Sequence, residues 1–518
     1  MKKRSFQFYS LCYSVNSIYL WALTRIEICR ERNKPHMNQV RNLPSIQTDF
    51  SDWYNEVVFR SELIDHAPVR GCMILRPYGY AIWELMQYKL NKDFKKMGVH
   101  NCAFPLLIPS SYIESEKDHI EGFAPEIAVV TYAGGKELEE KLVVRPTSET
   151  IIHSMFSRWI KSWRDLPVKV NQWCSVIRWE KRPRPFIRNT EFWWQEGHTA
   201  HEKREEAYAQ AHEAGDIYEN FIREYLAIPV IRGFKPPMEK FPGAEATITF
   251  EAMMQDGKAL QMGTSHVLSQ SFCKQFNIKY QNKKDEWEMP WLTSWGVTTR
   301  LIGAVIMVHG DEKGLVLPPL IAPIQCIIIP IINKKNNNSD NEKILDICNQ
   351  YKKKLEDAGY RSECDLSEKS PGFKYNYWEL KGVPFRIEIG LRDIENNSFV
   401  FVSRDNNDKR IITHSDLTTD FMKNEISSFV DRLLQKRIEK QKENIHSVGS
   451  LIEVESSQEN KFYIADWCCS LKSYEIIKSK QLTVRCVLET YLEPKSTCFS
   501  CGESCKSARY KVVVAKAY

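Results

Sequence analysis

The chain has 518 residues, of which 43% are hydrophobic and 27% charged, and a chain this long and apolar is expected to form about two to four globular domains. Lysine and arginine number 72 against 66 acidic residues, a net charge of +6, which is too small for a protein that coats nucleic acid by charge alone. The 15 cysteines form an odd total and most stand singly in apolar segments, which favours free thiols in a reducing, cytoplasmic compartment.

Residues 1–36 are expected to be an extension outside the folded domains. A basic start, Lys2 to Arg4, precedes an aromatic, serine-rich stretch that weakly resembles a signal or transit peptide. Met37 stands just before well-patterned sequence, so a start assigned too far upstream, an organellar targeting segment and an ordinary extension all stay open. No apolar run in the chain reaches the roughly 20 residues needed to cross a bilayer, and no membrane partner is expected.

Residues 37–321 are expected to form one large α+β domain. Apolar residues recur at helical spacing over 83–96, with Gly98 behind, and over 204–226, before Pro229. Short segments rich in β-branched or aromatic residues predict strands, and these are 128–132, 173–179, 191–194, 246–252 and 260–262. The pattern favours an antiparallel sheet flanked by helices.

Two smaller domains are expected to follow a proline-punctuated stretch that ends at Pro323. Strands and a helix alternate as in a compact α/β domain, which we assign to residues 322–422. The segments are strands at 326–332, 385–389 and 399–402 and a helix at 344–355. Residues 423–518 then form a long charged linker helix, at 424–442, and a small α+β domain.

Three segments of the large domain carry residues suited to nucleotide chemistry. Residues 98–109 are a helix-to-strand passage closed by a proline, Arg178 and Glu180 precede a charged loop and a strand, and Arg300 opens an apolar helix. In this order and spacing they resemble motifs 1, 2 and 3 of the class II aminoacyl-tRNA synthetases. The resemblance implies the class II catalytic fold, an antiparallel sheet flanked by helices.

Other segments indicate which amino acid is used. They are Arg145-Pro-Thr-Ser-Glu149, Trp194-Gln-Glu-Gly-His198, Glu239-Lys-Phe241 and Gln261-Met-Gly-Thr-Ser-His266. All resemble the prolyl-tRNA synthetases of the eukaryotic and archaeal type, which lack the editing domain that other bacterial enzymes carry between motifs 2 and 3. The resemblance implies ligation of L-proline to tRNA(Pro) at the expense of ATP. Alanine is expected to be a poorly excluded competitor, because a pocket discriminates weakly against a smaller side chain.

The resemblance implies a nucleotide site built around three arginines. The proline carboxylate attacks the α-phosphate of ATP in line and expels pyrophosphate, and because this group is already an anion, orientation and charge neutralisation are needed rather than a general base. Arg178 would contact the α-phosphate and the carboxylate, while Arg188 and Arg300 would hold the γ-phosphate end. The other nucleotide contacts would be Glu180 at the adenine amino group, Phe192 stacked on the adenine ring, and Gln261. Mg²⁺ should bridge the phosphates.

The resemblance also implies a pocket for proline, which presents a secondary ammonium, a carboxylate and a small apolar ring. Thr147 and Glu149 would accept hydrogen bonds from the ring nitrogen, and Arg178 would meet the carboxylate. The enclosing and polar walls would be Phe123, Trp194, Phe241, His198, Glu196, Thr264 and His266. His198 and His201 also have the spacing of a metal pair, but no third ligand of matching placement accompanies them, so we expect no metal there.

The second domain resembles the class IIa anticodon-binding domain. Residues 378–393 mix planar cations, carboxylates and aromatic faces, which unstacked RNA bases require. Lys381, Glu388 and Arg392 are the residues that we expect to contact the anticodon. For each of them, the alternative interpretation also stays open that it lies on a solvated strand edge and does not contact RNA.

The third domain departs from the family pattern. In the family, the corresponding domain usually binds zinc through a Cys-x4-Cys pair followed by a Cys-x2-Cys pair. In this chain, Cys498 and Cys501 preserve the second pair. In the first pair Cys468 is present, but Ser473 stands at the partner position, and an alcohol is a poor zinc ligand beside thiolates. We therefore expect weak or no zinc binding unless another thiol takes its place. Candidates are Cys469, Cys486 and Cys505. The terminal Tyr518 matches the family, whose last carboxylate points toward the active site.

Motif 1 resembles the dimer interface of class II enzymes, so a homodimer is expected. Two other functions stay open. One is a different class IIa synthetase, for threonine, serine, histidine or glycine, and the other is a non-catalytic, synthetase-like protein that binds RNA. The three intact arginines argue against the second alternative.

Overall fold

The computed structural model describes residues 43–114, 127–332, 338–457, 459–491, 497–503 and 509–518. The chain divides into two compact units, residues 1–43 and 44–518, and the described helices and strands belong to the second. The expected extension, residues 1–36, and the expected pocket residue Phe123 lie outside the described residues. Among the helices of the described part, none is long and apolar enough to span a membrane.

The first region of the fold, up to His309, combines an antiparallel sheet with packed helices, which confirms the expected fold class. Its helices are α1 (Phe50–Arg60), α2 (Pro77–Lys96), α3 (Ser110–Glu114), α4 (Glu149–Trp159), α5 (Arg204–Glu224), α6 (Ser271–Phe276) and α7 (Arg300–His309). Its strands are β1 (Ile64–His66), β2 (Met73–Leu75), β3 (His100–Asn101), β4 (Leu107–Pro109), β5 (Ala128–Ala133), β6 (Lys136–Val144), β7 (Val168–Ile177), β8 (Glu191–His201), β9 (Val230–Phe234), β10 (Ala246–Met253), β11 (Ala259–Ser269), β12 (Tyr280–Gln281), β13 (Trp287–Glu288) and β14 (Trp291–Thr298).

The central strands of this region pair in the order β9-β10-β11-β14-β8-β7, each antiparallel to its neighbour. The predicted strand at 128–132 is β5, but it belongs to a separate three-stranded sheet of order β4-β6-β5. Helix α5 packs across β11 and β14, and small buried residues such as Ala207, Ala211 and Ala214 let it approach the sheet closely.

The second region is a mixed α/β domain, as expected for an anticodon-binding domain. Its helices are α8 (Asn338–Asp357), α9 (Pro371–Leu380), α10 (Leu391–Glu395) and α11 (Thr419–Glu443), and its strands are β15 (Cys326–Pro330), β16 (Ser362–Cys364), β17 (Phe385–Ile389), β18 (Ser398–Ser403) and β19 (Lys409–Thr413). Helix α11 was expected as a linker helix at 424–442 within residues 423–518, but its Phe429 and Leu433 pack into the core of this domain. The sheet order is β16-β15-β17-β18-β19, parallel around β15 and antiparallel beyond β17. Arg404 of this domain donates to both carboxylate oxygens of Asp311, at 2.6 and 2.7 Å, and so ties it to the first region.

The C-terminal region extends the sheet of the first region. Its helices are α12 (Leu451–Glu455) and α13 (Leu471–Ser479), and its strands are β20 (Ile445–Val448), β21 (Phe462–Trp467), β22 (Thr483–Tyr491) and β23 (Arg509–Ala515). Strand β22 pairs with β9 through Val487 and Phe234, which gives an 11-stranded sheet of order β20-β21-β23-β22-β9-β10-β11-β14-β8-β7-β3. The last strands of the chain therefore lie beside the strands that carry the candidate active site.

Candidate active site

A cleft of about 410 Å³ lies over the antiparallel sheet, between the first residues of α4 and α7. Among the described residues, every side chain that the sequence analysis assigned to proline or nucleotide binding lines this cleft. They are Thr147, Glu149, Arg178, Glu180, Arg188, Phe192, Trp194, Glu196, His198, Phe241, Gln261, Thr264, His266 and Arg300. Segments more than 100 residues apart in the sequence, motifs 2 and 3 among them, thus meet in one site.

Strand β8 supplies one wall of the cleft through its alternation. Trp194, Glu196 and His198 are two residues apart and therefore point to the same face of the sheet. Between them Gly197 lies against the indole of Trp295, so closely that a Cβ at position 197 would stand 2.1 Å from a ring carbon. The glycine allows Trp295 to fill the other face while Glu196 and His198 stay in the cleft.

The end of the cleft where the sequence analysis expects proline holds a buried carboxylate, Glu149. Glu149 is only 6% exposed, the Thr147 hydroxyl donates to it, and His198 Nε2 lies 3.5 Å from its Oε1. Burial acts to raise the pKa of Glu149, but the charge of the nearby His198 and the hydrogen bond from Thr147 outweigh burial and lower the pKa. Burial would lower the pKa of His198, yet Glu149 raises it. A buried anion beside a hydroxyl oxygen is a suitable acceptor pair for a secondary ammonium.

Glu196 has the opposite tendency. Burial and the charge of Glu149 raise its pKa, against the lowering effect of His198. Its Oε1 accepts a hydrogen bond from Gln172 at 2.5 Å, whereas its Oε2 has no partner within the described part of the chain. That oxygen is therefore available to a bound ligand.

Within the part of the chain that the structure describes, the group at this end of the cleft with ligand atoms close enough for a metal is Glu149, Glu196 and His198, whose ligand atoms lie within 4.8 Å of one another. The histidine pair suggested by spacing does not form such a group, since His201 instead pairs with the Thr199 hydroxyl at 2.7 Å.

His266 and Phe241 form the opposite wall. Their rings lie 4.9 Å apart. Burial lowers the pKa of His266 to about 4, so that the ring is neutral near pH 7. Its two nitrogens pair with the hydroxyls of Thr247 and Thr264, each at 2.9 Å. The wall therefore offers an apolar surface whose orientation is fixed by hydrogen bonds, as a small saturated ring requires.

The other end of the cleft gathers arginines. Arg178 donates to the carbonyl of Pro146 at 3.0 Å, and its guanidinium lies 5.6 Å from the Phe192 ring and 5.4 Å from the Trp194 ring. Arg300 donates to the carbonyl of Ile187 at 3.2 Å. Burial and the charges of other arginines, Arg188 first among them, lower its pKa to about 10. Neighbouring positive charges repel one another, and a bound anion would relieve the repulsion. This end of the cleft is therefore suited to bind phosphates.

The C-terminal residue reaches the same end of the cleft. Arg188 donates to the Tyr518 backbone oxygen at 3.1 Å, and the Tyr518 hydroxyl donates to Asp256 at 2.6 Å. The Arg184 guanidinium lies 4.8 Å from the Tyr518 ring. The terminal tyrosine thus lies beside an expected phosphate-binding arginine, as the resemblance implied.

Comparison with known proteins identifies this arrangement. Residues 131–309 match the profile of the tRNA synthetase class II core domain (G, H, P, S and T), and residues 325–425 match that of the anticodon binding domain. The chain is 46% identical over 490 residues to the proline–tRNA ligase of Alkaliphilus oremlandii, covering 94% of this chain and 100% of the relative. The chain belongs to the proline–tRNA ligase family. The Borreliella burgdorferi ligase of strain ZS7 is also 46% identical, over 92% of this chain and 99% of its own length.

A solved structure of the proline–tRNA ligase family has the same fold. The prolyl-tRNA synthetase from Cryptosporidium parvum, complexed with halofuginone and AMPPNP, superposes with a TM-score of 0.86 at 41% identity, covering 92% of this chain and 99% of its own. The class II fold and the proline–tRNA ligase family are therefore confirmed.

Several residues of the cleft had not been expected as site residues. Lys235, Glu239, Asn189 and Thr247 line it together with the expected ones. Glu239 was part of a segment that resembles this ligase family, but it carried no assigned role. Lys235 follows directly after β9 without any recognisable motif, and only its burial, at 7% exposed, marks it as unusual for a lysine.

Two of the three expected anticodon residues have protein partners in the structure. Lys381 is 6% exposed and donates to Glu62 of the first region at 2.7 Å. Glu388 is 2% exposed and accepts hydrogen bonds from Arg386 and Lys409 at 3.0 and 2.9 Å. Contact of either residue with a base would require these pairs to open. Arg392, by contrast, is exposed at the start of α10.

The cysteines of the C-terminal region form a cluster around the serine. The thiols of Cys468, Cys498 and Cys501 lie within 4.8 Å of one another, and Ser473 Oγ is 3.4 Å from the Cys498 sulfur. That hydroxyl also accepts from Trp467 Nε1 at 2.6 Å. Among the described cysteines, neither Cys469 nor Cys486 joins this group, and Cys505 lies outside the described residues. The three thiols are thus grouped together, and the Ser473 hydroxyl stands beside them at the position where the family pattern has the fourth thiolate of a zinc site.

Proposed function

We propose that this member of the proline–tRNA ligase family activates L-proline with ATP at the cleft described above and transfers the prolyl group to tRNA(Pro). The observation that carries the proposal is that one cleft joins an ionised carboxylate, Glu149, to a cluster of three arginines. A zwitterionic amino acid placed between them would direct its ammonium to the carboxylate and its own carboxylate toward the arginines.

The residues have separate tasks in this reaction. Glu149 and Thr147 accept the two N–H groups of the proline ammonium, and Trp194, Phe241 and His266 enclose the ring. Arg178 lies 5.4 Å from the Trp194 ring and its charge acts on Arg300, so we assign it to neutralise both the attacking carboxylate and the α-phosphate. This preorganised charge stabilises the transition state, in which negative charge is spread over the oxygens around the phosphorus.

The phosphate end completes the proposal for ATP. Arg188 and Arg300 hold the γ-phosphate end. Glu180 meets the adenine amino group, Phe192 stacks on the adenine ring, and Gln261 contacts the nucleotide. Mg²⁺ belongs to the proposal as well. Carboxylates and water are its usual ligands beside phosphates, and when bound the ion would supply positive charge to the departing pyrophosphate.

The tRNA is proposed to extend from the cleft to the α/β domain, whose family is an anticodon-binding one. Arg392 is exposed there and has the planar guanidinium that bases accept as a stacking and hydrogen-bonding partner. Lys381 and Glu388 remain proposed contacts, each in competition with its protein partner.

A homodimer and a cytoplasmic location complete the proposal. Large apolar side chains are exposed on or beside the sheet formed by β4, β5 and β6, next to motif 1. They are Leu106, Leu107, Val129, Tyr132 and Trp159, each at least 41% exposed, and we call them the apolar patch. An exposed cluster of this kind is typical of an interface.

The described cysteines are free thiols, as in a reducing compartment.

The test is ATP–pyrophosphate exchange measured with each of the twenty amino acids, followed by charging of tRNA. We expect proline to drive exchange most strongly and alanine to do so weakly, because a pocket shaped for the ring excludes a smaller side chain poorly. Exchange driven by threonine, or none with any amino acid, would overturn the proposal in favour of a different synthetase or of a non-catalytic RNA-binding protein.

A further inference from the structure

We propose that Arg485 and Tyr474 of the C-terminal region are positioning residues for proline, which act by holding the segment Lys235–Phe241. This inference rests on the proposed function. The segment follows β9, and we call it the wall segment, because Lys235, Glu239 and Phe241 all line the cleft. Neither Arg485 nor Tyr474 lines the cleft itself.

The inner side of the wall segment is bound to the proline pocket. The backbone N–H of Lys235 donates to the carbonyl of Thr247 at 2.8 Å, and the N–H of Phe241 donates to the Thr247 hydroxyl at 3.3 Å. The same hydroxyl pairs with His266, whose ring lies against Phe241. The position of the segment therefore sets the wall against which the proline ring would pack.

The outer side of the wall segment is bound to Arg485 through a buried ion cluster. Arg485 donates to Glu251 Oε2 from Nε at 3.0 Å and from a terminal nitrogen at 2.7 Å. Lys235 Nζ donates to Glu251 Oε1 and to the Arg485 carbonyl, each at 2.9 Å. All three side chains are buried, with Glu251 at 0% exposed. Loss of one partner would leave a buried charge uncompensated, so the cluster fixes Lys235 firmly.

A second connection reaches the middle of the wall segment. The Tyr474 hydroxyl, on α13, donates to Glu239 Oε1 at 3.0 Å. The neighbouring Met238 packs against the hydrophobic cluster of the C-terminal region. The connection between β9 and β10 is thus held by the C-terminal region at three successive places, Lys235, Met238 and Glu239, while its other side forms the pocket.

A consequence for kinetics follows from this geometry. Small misplacement of a wall that contacts the substrate weakens binding and orientation without removing any reacting group. Weakening the contact made by Tyr474 should therefore raise KM for proline while KM for ATP changes little. Arg485 also acts by its charge on Arg300, so its loss is expected to affect both KM values. A merely structural role would instead lower the melting temperature and leave KM for proline unchanged.

The test compares four variants of the full-length protein in ATP–pyrophosphate exchange, with melting temperatures measured in parallel. Tyr474→Phe removes only the hydroxyl, and we expect it to raise KM for proline about threefold to tenfold with an unchanged melting temperature. Arg485→Met should raise it roughly tenfold to a hundredfold, and Arg485→Lys should restore part of the loss. Tyr491→Phe is the matched control, since it removes a tyrosine–glutamate hydrogen bond to Glu489 in the same region, and it should leave KM unchanged.

The Tyr474→Phe variant decides the inference. If its KM for proline is unchanged, or if its KM values for proline and for ATP rise equally, the inference is overturned, even if Arg485→Met proves too unstable to assay. If the unmodified protein shows no proline-dependent exchange, the proposed function fails instead. The two failures are therefore distinguishable.

Discussion

At the scale of single residues, Arg178 is placed where the two reacting groups would meet. Its guanidinium lies over the rings of Phe192 and Trp194 and is held by the Pro146 carbonyl. We expect Arg178→Ala to lower proline-dependent exchange roughly 10²-fold or more, because a preorganised charge on the reacting phosphate is lost. Exchange kinetics together with a thermal melt would measure this. Arg182→Ala, an exposed arginine of the neighbouring loop, is the control, and an Arg178→Ala variant as active as that control would refute the assigned role.

The pair of His198 and Glu149 is expected to make the stability of the folded protein depend on pH. The pKa of His198 is raised above its ordinary 6.5, so its contribution to stability is complete below pH 6.5 and is lost as pH rises through the raised pKa. The pKa of Glu149 is lowered below its ordinary 4.5, so its contribution is present above pH 4.5 and is lost on acidification. The pair should therefore stabilise the protein most between those two values.

We accordingly expect His198→Asn to lower the free energy of unfolding by about 3 to 5 kcal/mol near pH 5.5, and by less at higher pH. Denaturant unfolding of wild type and variant from pH 5 to 9 would measure the difference. His201→Asn is the control. Burial lowers the pKa of His201 to about 4, so its contribution is lost as pH falls. A deficit of His198→Asn that stays constant or grows with rising pH would contradict the assignment of a charged His198.

The residues of the cleft could be expected from the sequence because motif resemblance carries each position over separately. Local spacing also explains why Trp194, Glu196 and His198 share one face of β8. The partners of buried charges could not be expected in this way. Glu251 is neutralised by Arg485, 234 residues away, and Lys381 by Glu62, 319 residues away in the other direction. No pattern along the chain records such pairs, since only the folded backbone brings them together.

At the scale of elements, helices were predicted more completely than sheet membership. The spacing over 83–96 identified α2, but the helix begins earlier, at Pro77, whose fixed φ suits the first helical position. The strand prediction 385–389 coincides with β17. That β5 leaves the main sheet and that β22 joins it at β9 are long-range pairings, which alternation of side chains within one strand does not determine.

The α13 element bears on zinc, because it carries Ser473 into the group of three thiols. We expect Ser473→Cys to raise zinc occupancy and the melting temperature, since a fourth thiolate would complete a tetrahedral site and binding to a folded site adds directly to stability. Elemental analysis and thermal melts with and without chelator would measure both. The loss of the hydrogen bond from Trp467 to the serine would offset about 1 kcal/mol of this gain.

The contrary result for zinc is equally definite. Stoichiometric zinc in the unmodified protein, lost together with stability on chelation, would show that the three thiols bind the ion with a different fourth ligand. Ser479→Cys is a suitable control, because Ser479 is exposed at the other end of α13 and would add a thiol there instead of at Ser473.

At the scale of the whole molecule, the C-terminal end of the unit formed by residues 44–518 returns to the cleft of the first region. The last strands extend the catalytic sheet, and Tyr518 returns to Arg188 at the phosphate end of the cleft. The α/β domain is tied to the first region by Arg404 with Asp311 and by Lys381 with Glu62. The α/β domain is therefore joined to the first region by two ion pairs as well as by the chain itself.

The apolar patch beside motif 1 gives the last prediction, which concerns assembly. An isologous interface over the patch would cover side chains such as Leu107, at 41% exposed, and Tyr132, at 61% exposed, and a stable dimer needs about 1,200 to 2,000 Å² of buried surface. We expect light scattering at micromolar concentration to give twice the mass of the 60.6 kDa chain. Leu107→Lys should shift the protein toward monomer, because a charge within an apolar interface is left unpaired. Ile411→Lys is the control, since Ile411 is 77% exposed on the α/β domain, and it should leave the mass unchanged. A monomeric wild type, or dissociation by both variants alike, would contradict an interface at this patch.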